Sequence, residues 1–330
     1  RPFSGKLTDT IGRKKVIYFG IFFSMLISWI YPFSFSVFFF LILRFLHGFS
    51  AGFTPTGTTA LLTDLIPASK RGQAMGIWGT FISLGFGVGQ FSGSWIGINF
   101  GMDALFLIAG FTSVISGLFL LRVEETLEKP EKFDGSQLKV NWKDVIEPSV
   151  VPAAVVMMLT ASCSGIIFVL APDISGFLGI ENKGFFFGYY VMSTIFVRLF
   201  SSSLSDRIGR RETMLIGVCI LLVSMILLSR VDSYNSFVLA AIVFGLATGV
   251  SSPTLFAWTA DLSHIKRRGV GAGTIFIALE AGIMLGSTST IFTYNSTPQS
   301  IQQVFLFGIL MSILAILYLL WHKAYRTSDF

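Results

Sequence analysis

GKLTDTIGRKK occupies residues 5–15, and SSLSDRIGRRE occupies residues 202–212. Each is followed at once by a long apolar stretch, VIYFGIFFSMLISWI after the first and TMLIGVCILLVSMILL after the second. The likeness extends well beyond the two strings. With a shift of 197 residues, Arg1, Phe3, Ser4, Leu7, Asp9, Ile11, Gly12 and Arg13 fall on Arg198, Phe200, Ser201, Leu204, Asp206, Ile208, Gly209 and Arg210. At the same offset Gly48 and Gly52 meet Gly245 and Gly249. Asp64, Leu65, Arg71, Gly72 and Gly76 meet Asp261, Leu262, Arg268, Gly269 and Gly273, and Gly85 and Gly89 meet Gly282 and Gly286. No gap is needed across this stretch, so the chain carries two parallel repeats, an architecture found in secondary transporters.

Composition sets the surroundings of these repeats. Hydrophobic residues make up 53% of the 330, charged residues only 13%, and mean hydropathy is +0.73; a soluble domain carries about 25% charged residues. Apolar runs exceed the roughly 20 residues that cross a bilayer. They do not alternate with polar residues as barrel strands do, so the spans must be helices, which satisfy their own backbone. Ten spans are expected, near 16–32, 35–57, 72–98, 103–121, 150–177, 183–204, 212–229, 234–260, 269–292 and 301–321.

Basic residues orient them. Nineteen Lys and Arg residues fall on one side, in the clusters Lys6–Lys15, Lys70–Arg71, Arg122–Lys143, Arg207–Arg211, Lys266–Arg268 and Lys323–Arg326, whereas only Lys183 and Arg230 fall on the other. Positive charge marks the cytoplasmic face. The C-terminus and the central linker are therefore expected in the cytoplasm of a multi-pass cell-membrane protein. The net charge of +6 is accounted for by topology, which argues against a nucleic-acid partner. Cys163 and Cys219 lie within apolar runs without metal-like spacing and are expected to be packing residues.

The repeat also divides the chain. Residues 1–121 form the first bundle (helices 3–6), 122–149 a charged linker, and 150–330 the second bundle (helices 7–12). The second repeat starts near 150, which places the start of the first roughly 48 positions ahead of residue 1, enough for two spans of about 20 residues each. A natural chain of twelve helices, with the last ten present here, is the expectation.

GKLTDTIGRKK and SLSDRIGRR resemble the signature loops of the major facilitator superfamily, between helices 2 and 3 and between helices 8 and 9. LRFLHGFSAG (43–52) resembles its helix 4 motif around an arginine, here Arg44. TDLIPASKRGQAMG (63–76) and ADLSHIKRRGVGAG (260–273) resemble the loops that lead into helices 5 and 11. GFGVGQFSG (85–93) resembles the antiporter motif of helix 5, with Gln90 in place of a proline and Ser94 in place of a glycine. The resemblance implies an all-α integral membrane fold of two pseudosymmetric six-helix bundles. It also implies a cytoplasmic latch built from Gly5, Asp9, Gly12, Arg13, Asp206, Gly209 and Arg210 with Asp64, Arg71, Asp261 and Arg268. By pseudosymmetry Asp9 should face Gly269, and Asp206 should face Gly72.

The residues carry their own chemistry. Gly12 permits a tight turn, and Asp9 is placed to accept hydrogen bonds from a helix N-terminus or to pair with Arg13. Gly85, Gly89, Gly93 and Gly97 recur every four residues on one face and are expected to admit a closely packed helix. Ionisable groups within spans cost about 2.5–3.5 kcal/mol at a helix centre, so Arg44, His47, Asp173 and Glu280 are candidates for proton or substrate coupling. Arg44 matches the family arginine associated with proton transfer. Trp29, Trp78, Phe81, Phe276 and Phe292 are candidates to line a cavity.

The function expected is proton-coupled efflux of drugs or other amphipathic compounds by alternating access across a bacterial-type inner membrane. The alternatives are an importer of a sugar, peptide or organic anion and a transport-inactive receptor on the same fold. No nucleophile–base pair, metal cluster or phosphate loop suggests an enzyme. No cofactor is expected beyond a proton gradient, and the partners expected are a small-molecule substrate, protons and the lipid bilayer, with the chain acting as a monomer.

Overall fold

The computed structural model describes residues 1–139, 141, 145–180, 184–201 and 204–327. The expectations for Lys143 and Lys183, and for the side chains of Gln90, Ser94, Lys323 and Arg326, lie outside the described residues. The described residues contain helices and no strand.

Among the described residues twelve α-helices follow one another: α1 (Pro2–Thr10), α2 (Arg13–Ile30), α3 (Val37–Ser50), α4 (Thr54–Leu65), α5 (Arg71–Leu121), α6 (Val151–Phe177), α7 (Phe185–Ser201), α8 (Leu204–Ile208), α9 (Arg210–Ser229), α10 (Tyr234–Leu262), α11 (Arg268–Thr293) and α12 (Pro298–Thr327). Among the described residues helices run through each of the ten stretches expected to span. Eight are long and apolar enough to cross a bilayer, and Phe185–Arg198 is a shorter apolar helix.

Two boundaries differ from the sequence expectation. The span expected at 35–57 is two helices, α3 and α4, joined across residues 51–53. Pro55 at the start of α4 has no N–H to donate back into the preceding turn, so the helix restarts there. The two spans expected at 72–98 and 103–121 form a single helical run broken at Gly101 (φ 87°, ψ 167°). That backbone conformation is open to glycine.

The chain forms two compact units. Unit 1 comprises Arg1–Pro67, Phe86–Val150 and Leu262–Phe276; unit 2 comprises Ala68–Gly85, Val151–Asp261 and Ile277–Phe330. The units therefore interleave in sequence: the first turns of α11 belong to unit 1, and the first turns of α5 to unit 2. In unit 1, Ile27, Tyr31 and Leu43 bury against Phe23, Phe39 and Phe106, while Ile17, Leu61 and Leu120 form a second cluster. In unit 2 a larger core gathers Ile166, Leu170, Phe186, Met225, Phe237, Phe244 and Phe305.

Large apolar side chains also cover the outside, among them Phe35, Val37, Phe38, Phe45 and Phe119, each at least 70% exposed. A soluble protein does not leave so much continuous apolar surface in water, but a bilayer accepts it. Cys163 is buried in the core of unit 2, whereas Cys219 is exposed on α9. Cys219 therefore does not pack within the protein as expected: its side chain lies on the exposed face of α9.

The glycine face on α5 departs from expectation as well. A Cβ added at Gly85 or Gly89 would meet nothing within 4 Å, and at Gly93 and Gly97 it would touch only the ends of Leu105 and Met102. The repeat mates of Gly85 and Gly89 behave otherwise: a Cβ at Gly282 would strike the Met158 carbonyl, and one at Gly286 the Ser162 carbonyl. In unit 2, α6 fills the groove along α11.

A charged junction repeated in both units

α1 ends at Thr10, and the chain reverses through Gly12 (φ 118°) into α2. α8 ends at Ile208, and the chain reverses through Gly209 (φ 100°) into α9. Both angles lie in territory costly for residues with a Cβ. In unit 1 the new helix is capped from a distance: Glu125 accepts hydrogen bonds from the Arg13 and Lys14 amides, both at 3.0 Å. A carboxylate is favourable there because it meets the positive end of the helix.

The turn leaves Asp9 facing the start of α11. Its two oxygens accept hydrogen bonds from the Gly269 amide (2.7 Å) and the Val270 amide (2.9 Å). Arg13 lies 3.3 Å from Asp9 and 3.0 Å from Asp64. Arg268 reaches the other oxygen of Asp64 at 2.5 Å, and the Thr126 hydroxyl donates to Asp64 at 2.6 Å. α1 and α11 approach closely because both contact residues are glycine: a Cβ on Gly5 would stand 3.1 Å from the Gly269 oxygen.

Unit 2 repeats the arrangement. The carboxylate of Asp206 accepts from the Gly72 and Gln73 amides at the start of α5, both at 2.9 Å. Arg210 pairs with Asp206 and, at 2.8 Å, with Asp261. Arg71 completes the set at 2.7 Å from Asp261. At the 197-residue offset, Asp9, Arg13, Asp64 and Arg268 correspond to Asp206, Arg210, Asp261 and Arg71. The structure brings all eight together as two equivalent quartets. Each couples a carboxylate to two backbone N–H groups at a helix start, and such charge-assisted hydrogen bonds are about twice as strong as neutral ones.

The quartets differ in dryness. Arg13 and Asp9 are 2% and 8% exposed, whereas Asp261 is 29% exposed. Burial pushes the Asp9 carboxyl up from 3.8 to about 6, against Arg13 and the two amides, which hold it down; Asp64 adds to the rise. The group is protonated more readily with the contact made than when exposed to water, so acid favours the made contact. That bias is absent near pH 7.5 and grows as pH falls through 6. At pH 5.5 the ratio of made to broken contact is expected to rise about fourfold. Spin labels at Lys6 and Lys266 would report it, and Asp9→Asn should remove the dependence.

A second pair of arginines was not anticipated as part of this junction. Arg1 donates to the Gly52 carbonyl at 2.9 Å and lies 4.6 Å above the Phe276 ring. Arg198, its repeat mate, is buried and donates to the Gly79 carbonyl and, at 2.7 Å, to the Ser83 hydroxyl. Phe276 and Gly79 are themselves repeat mates. The matching of Arg1 with Arg198 at the offset was the available signal.

The intramembrane candidates occupy separate surroundings. Arg44 is exposed on α3. His47, one turn on, lies 3.2 Å from both the Ser24 hydroxyl and the Tyr31 hydroxyl. Asp173 accepts a 2.6 Å hydrogen bond from the Tyr294 hydroxyl. Glu280 is exposed on α11. Of the aromatic candidates, Trp29 donates to the Leu107 carbonyl, Trp78 packs edge-on to Phe256, Phe276 carries Arg1, and Phe81 and Phe292 are exposed.

The sequence pattern that defines the Major Facilitator Superfamily matches residues 1–197 and again 153–329. The chain belongs to that superfamily. This superfamily member is therefore a multi-pass membrane transporter with a small-molecule substrate. It is 22% identical over 318 residues to an uncharacterized MFS-type transporter of Methanocaldococcus jannaschii, covering 94% of this chain and 81% of that protein. It is 30% identical over 182 residues to Multidrug resistance protein 2 of Bacillus subtilis, covering 53% and 43% of the two chains. It is 26% identical over 263 residues to the multi-drug resistance efflux pump PmrA of Streptococcus pneumoniae, covering 76% and 65%. The match to both multidrug proteins thus spans less than two thirds of their length. Among solved structures, the human organic anion transporter MFSD10 superposes with a TM-score of 0.80 at 18% identity, covering 96% of this chain and 79% of that one. The proton:xylose symporter XylE superposes at 0.77 and 14% identity, covering 94% and 81%. At such identities the likeness is one of fold.

Proposed function

We propose that this transporter exports drugs or other amphipathic compounds in exchange for protons, by alternating access, with the two charged quartets as its cytoplasmic latches. The observation that carries the latch is the pair of aspartates, Asp9 and Asp206, each seated on the first amides of a helix from the opposite repeat. A contact made of charge on a helix end can be released whole as the helix withdraws, unlike an apolar interface that must be rewetted. The multidrug relatives support the direction and the substrate class. The linker and the C-terminus lie in the cytoplasm on this account, and the working unit is a monomer.

Purified protein reconstituted in vesicles of phosphatidylethanolamine and phosphatidylglycerol, with ethidium as probe, tests the direction. An outward proton gradient should load ethidium into vesicles in which the cytoplasmic face is outermost. Accumulation of xylose or an organic anion with inward protons, and no movement of ethidium, would replace efflux by import. Binding without flux of any probe would replace both by a receptor.

A further inference from the structure

Most hydroxyls in the helices are occupied by their own backbone: Thr58 donates to the Thr54 carbonyl and Thr63 to the Thr59 carbonyl. Ser24 on α2 and Tyr31 just beyond it do not follow this pattern. The Ser24 hydroxyl lies 3.2 Å from His47 Nε2, and the Tyr31 hydroxyl lies 3.2 Å from His47 Nδ1. Among the described residues neither hydroxyl has another hydrogen-bond partner. The site is within the span Val37–Leu65 and the facing span Arg13–Phe33. Tyr31 is buried and its ring stacks on Phe106 at 4.6 Å, which fixes it in place.

A structural histidine is held in one tautomer when one ring nitrogen faces a carbonyl or a carboxylate, which can only accept. Here both partners are hydroxyls, and each can donate or accept. Neither tautomer is pinned. Ser24 and Tyr31 are seven residues apart in the chain, and the one ring joins their two hydroxyls. Arg44 is the charged group nearby, one turn earlier on α3; α2 presents the two hydroxyls, and the part of α5 packed on Tyr31 presents the apolar ring of Phe106.

We propose that Tyr31, His47 and Ser24 form an intramembrane proton-transfer chain, a site that deepens, and rests on, the proton-coupled reading given above. As water delivers a proton to the Tyr31 oxygen, the hydroxyl hydrogen of Tyr31 passes to Nδ1. Nε2 gives its hydrogen to Ser24 Oγ, and the former hydrogen of Ser24 passes to water. One N–H bond forms and one breaks, each hydroxyl gains and loses one proton, and the imidazole is left as the other tautomer. Loss of the Nδ1 hydrogen to water at the half-buried ring, and uptake of one from water at Nε2, restores the starting tautomer.

Two measurements test the chain. His47→Gln keeps a donor and an acceptor but cannot relay. In vesicles it should cut ethidium loading driven by a proton gradient at least tenfold and leave ethidium–ethidium exchange at equal pH within twofold. Undiminished gradient-driven loading overturns the proposal, and so does an equal fall in exchange, which marks a packing role. The second measurement needs no substrate: nitrogen-15 resonances of labelled histidine in bilayers, with His47 assigned by its loss in His47→Gln. Both neutral tautomers should be populated and interconverting between pH 6 and 8; one fixed tautomer overturns the chain. If wild-type protein moves no ethidium, the efflux reading fails, and the resonance measurement decides the chain by itself.

Discussion

Asp9→Ala should lower transport on the order of 100-fold while the protein still inserts into the membrane in normal amount. The carboxylate accepts two backbone hydrogen bonds, from Gly269 and Val270, and lies beside a nearly buried Arg13. A hydrogen bond to a charged group contributes about 1.5–3 kcal/mol, so loss of the pair shifts the latch by about 3 kcal/mol, or roughly two powers of ten in population. Insertion is spared because Asp9 lies in α1, outside the apolar spans, and the basic cluster Arg13–Lys15 that orients α2 is untouched. Asp206→Ala should act in the same direction through Gly72 and Gln73. Flux assays alongside quantification of membrane-inserted protein check both; normal transport by Asp9→Ala would remove the latch from the account.

The second large effect concerns packing. Gly286→Val should abolish the folded protein, because its Cβ would enter the carbonyl, carbon and Cα of Ser162, backbone that cannot rotate aside. Overpacking of this kind costs typically about 1–3 kcal/mol and more where backbone must move, so a loss of 3 kcal/mol or more is expected. A glycine of α6 gives the control. Gly176→Ala has open space around it and should hold or gain stability, since alanine is favoured over glycine in helices by about 1 kcal/mol. Thermal unfolding in detergent, followed by a thiol dye on buried Cys163 in a Cys219→Ser background, separates the two. Equal melting temperatures for the two variants would contradict the close approach of α6 and α11.

Much of this was legible in the sequence because charge and glycine are costly in an apolar chain and so mark positions sharply. Asp9, Gly12 and Arg13 recur in register at Asp206, Gly209 and Arg210, and that recurrence is sufficient to pair Asp9 with Gly269 and Asp206 with Gly72. Packing was harder to read. The four-residue glycine spacing at Gly85–Gly97 states what a face permits, not what occupies it, and the same spacing is filled at Gly282 and Gly286 and open at Gly85 and Gly89. Nor does a sequence show which hydroxyl a histidine meets: Ser24 and Tyr31 are 23 and 16 residues from His47, and only the antiparallel course of α2 and α3 brings them to it. Glu125, which caps α2 across more than 110 residues, was counted with the linker charges because nothing local distinguishes it from Glu124.

The most direct test is a pair of distance measurements by electron–electron resonance in bilayers, one between labels at Lys6 and Lys266 in unit 1 and one between labels at Ser69 and Arg207 in unit 2. On this account each pair has a short distance that lengthens when transport is under way, the two change together, and Asp9→Ala, which removes both acceptors, depletes the short distance between Lys6 and Lys266. A single unchanging distance in both pairs during turnover, or an Asp9→Ala distribution identical to wild type, would contradict it.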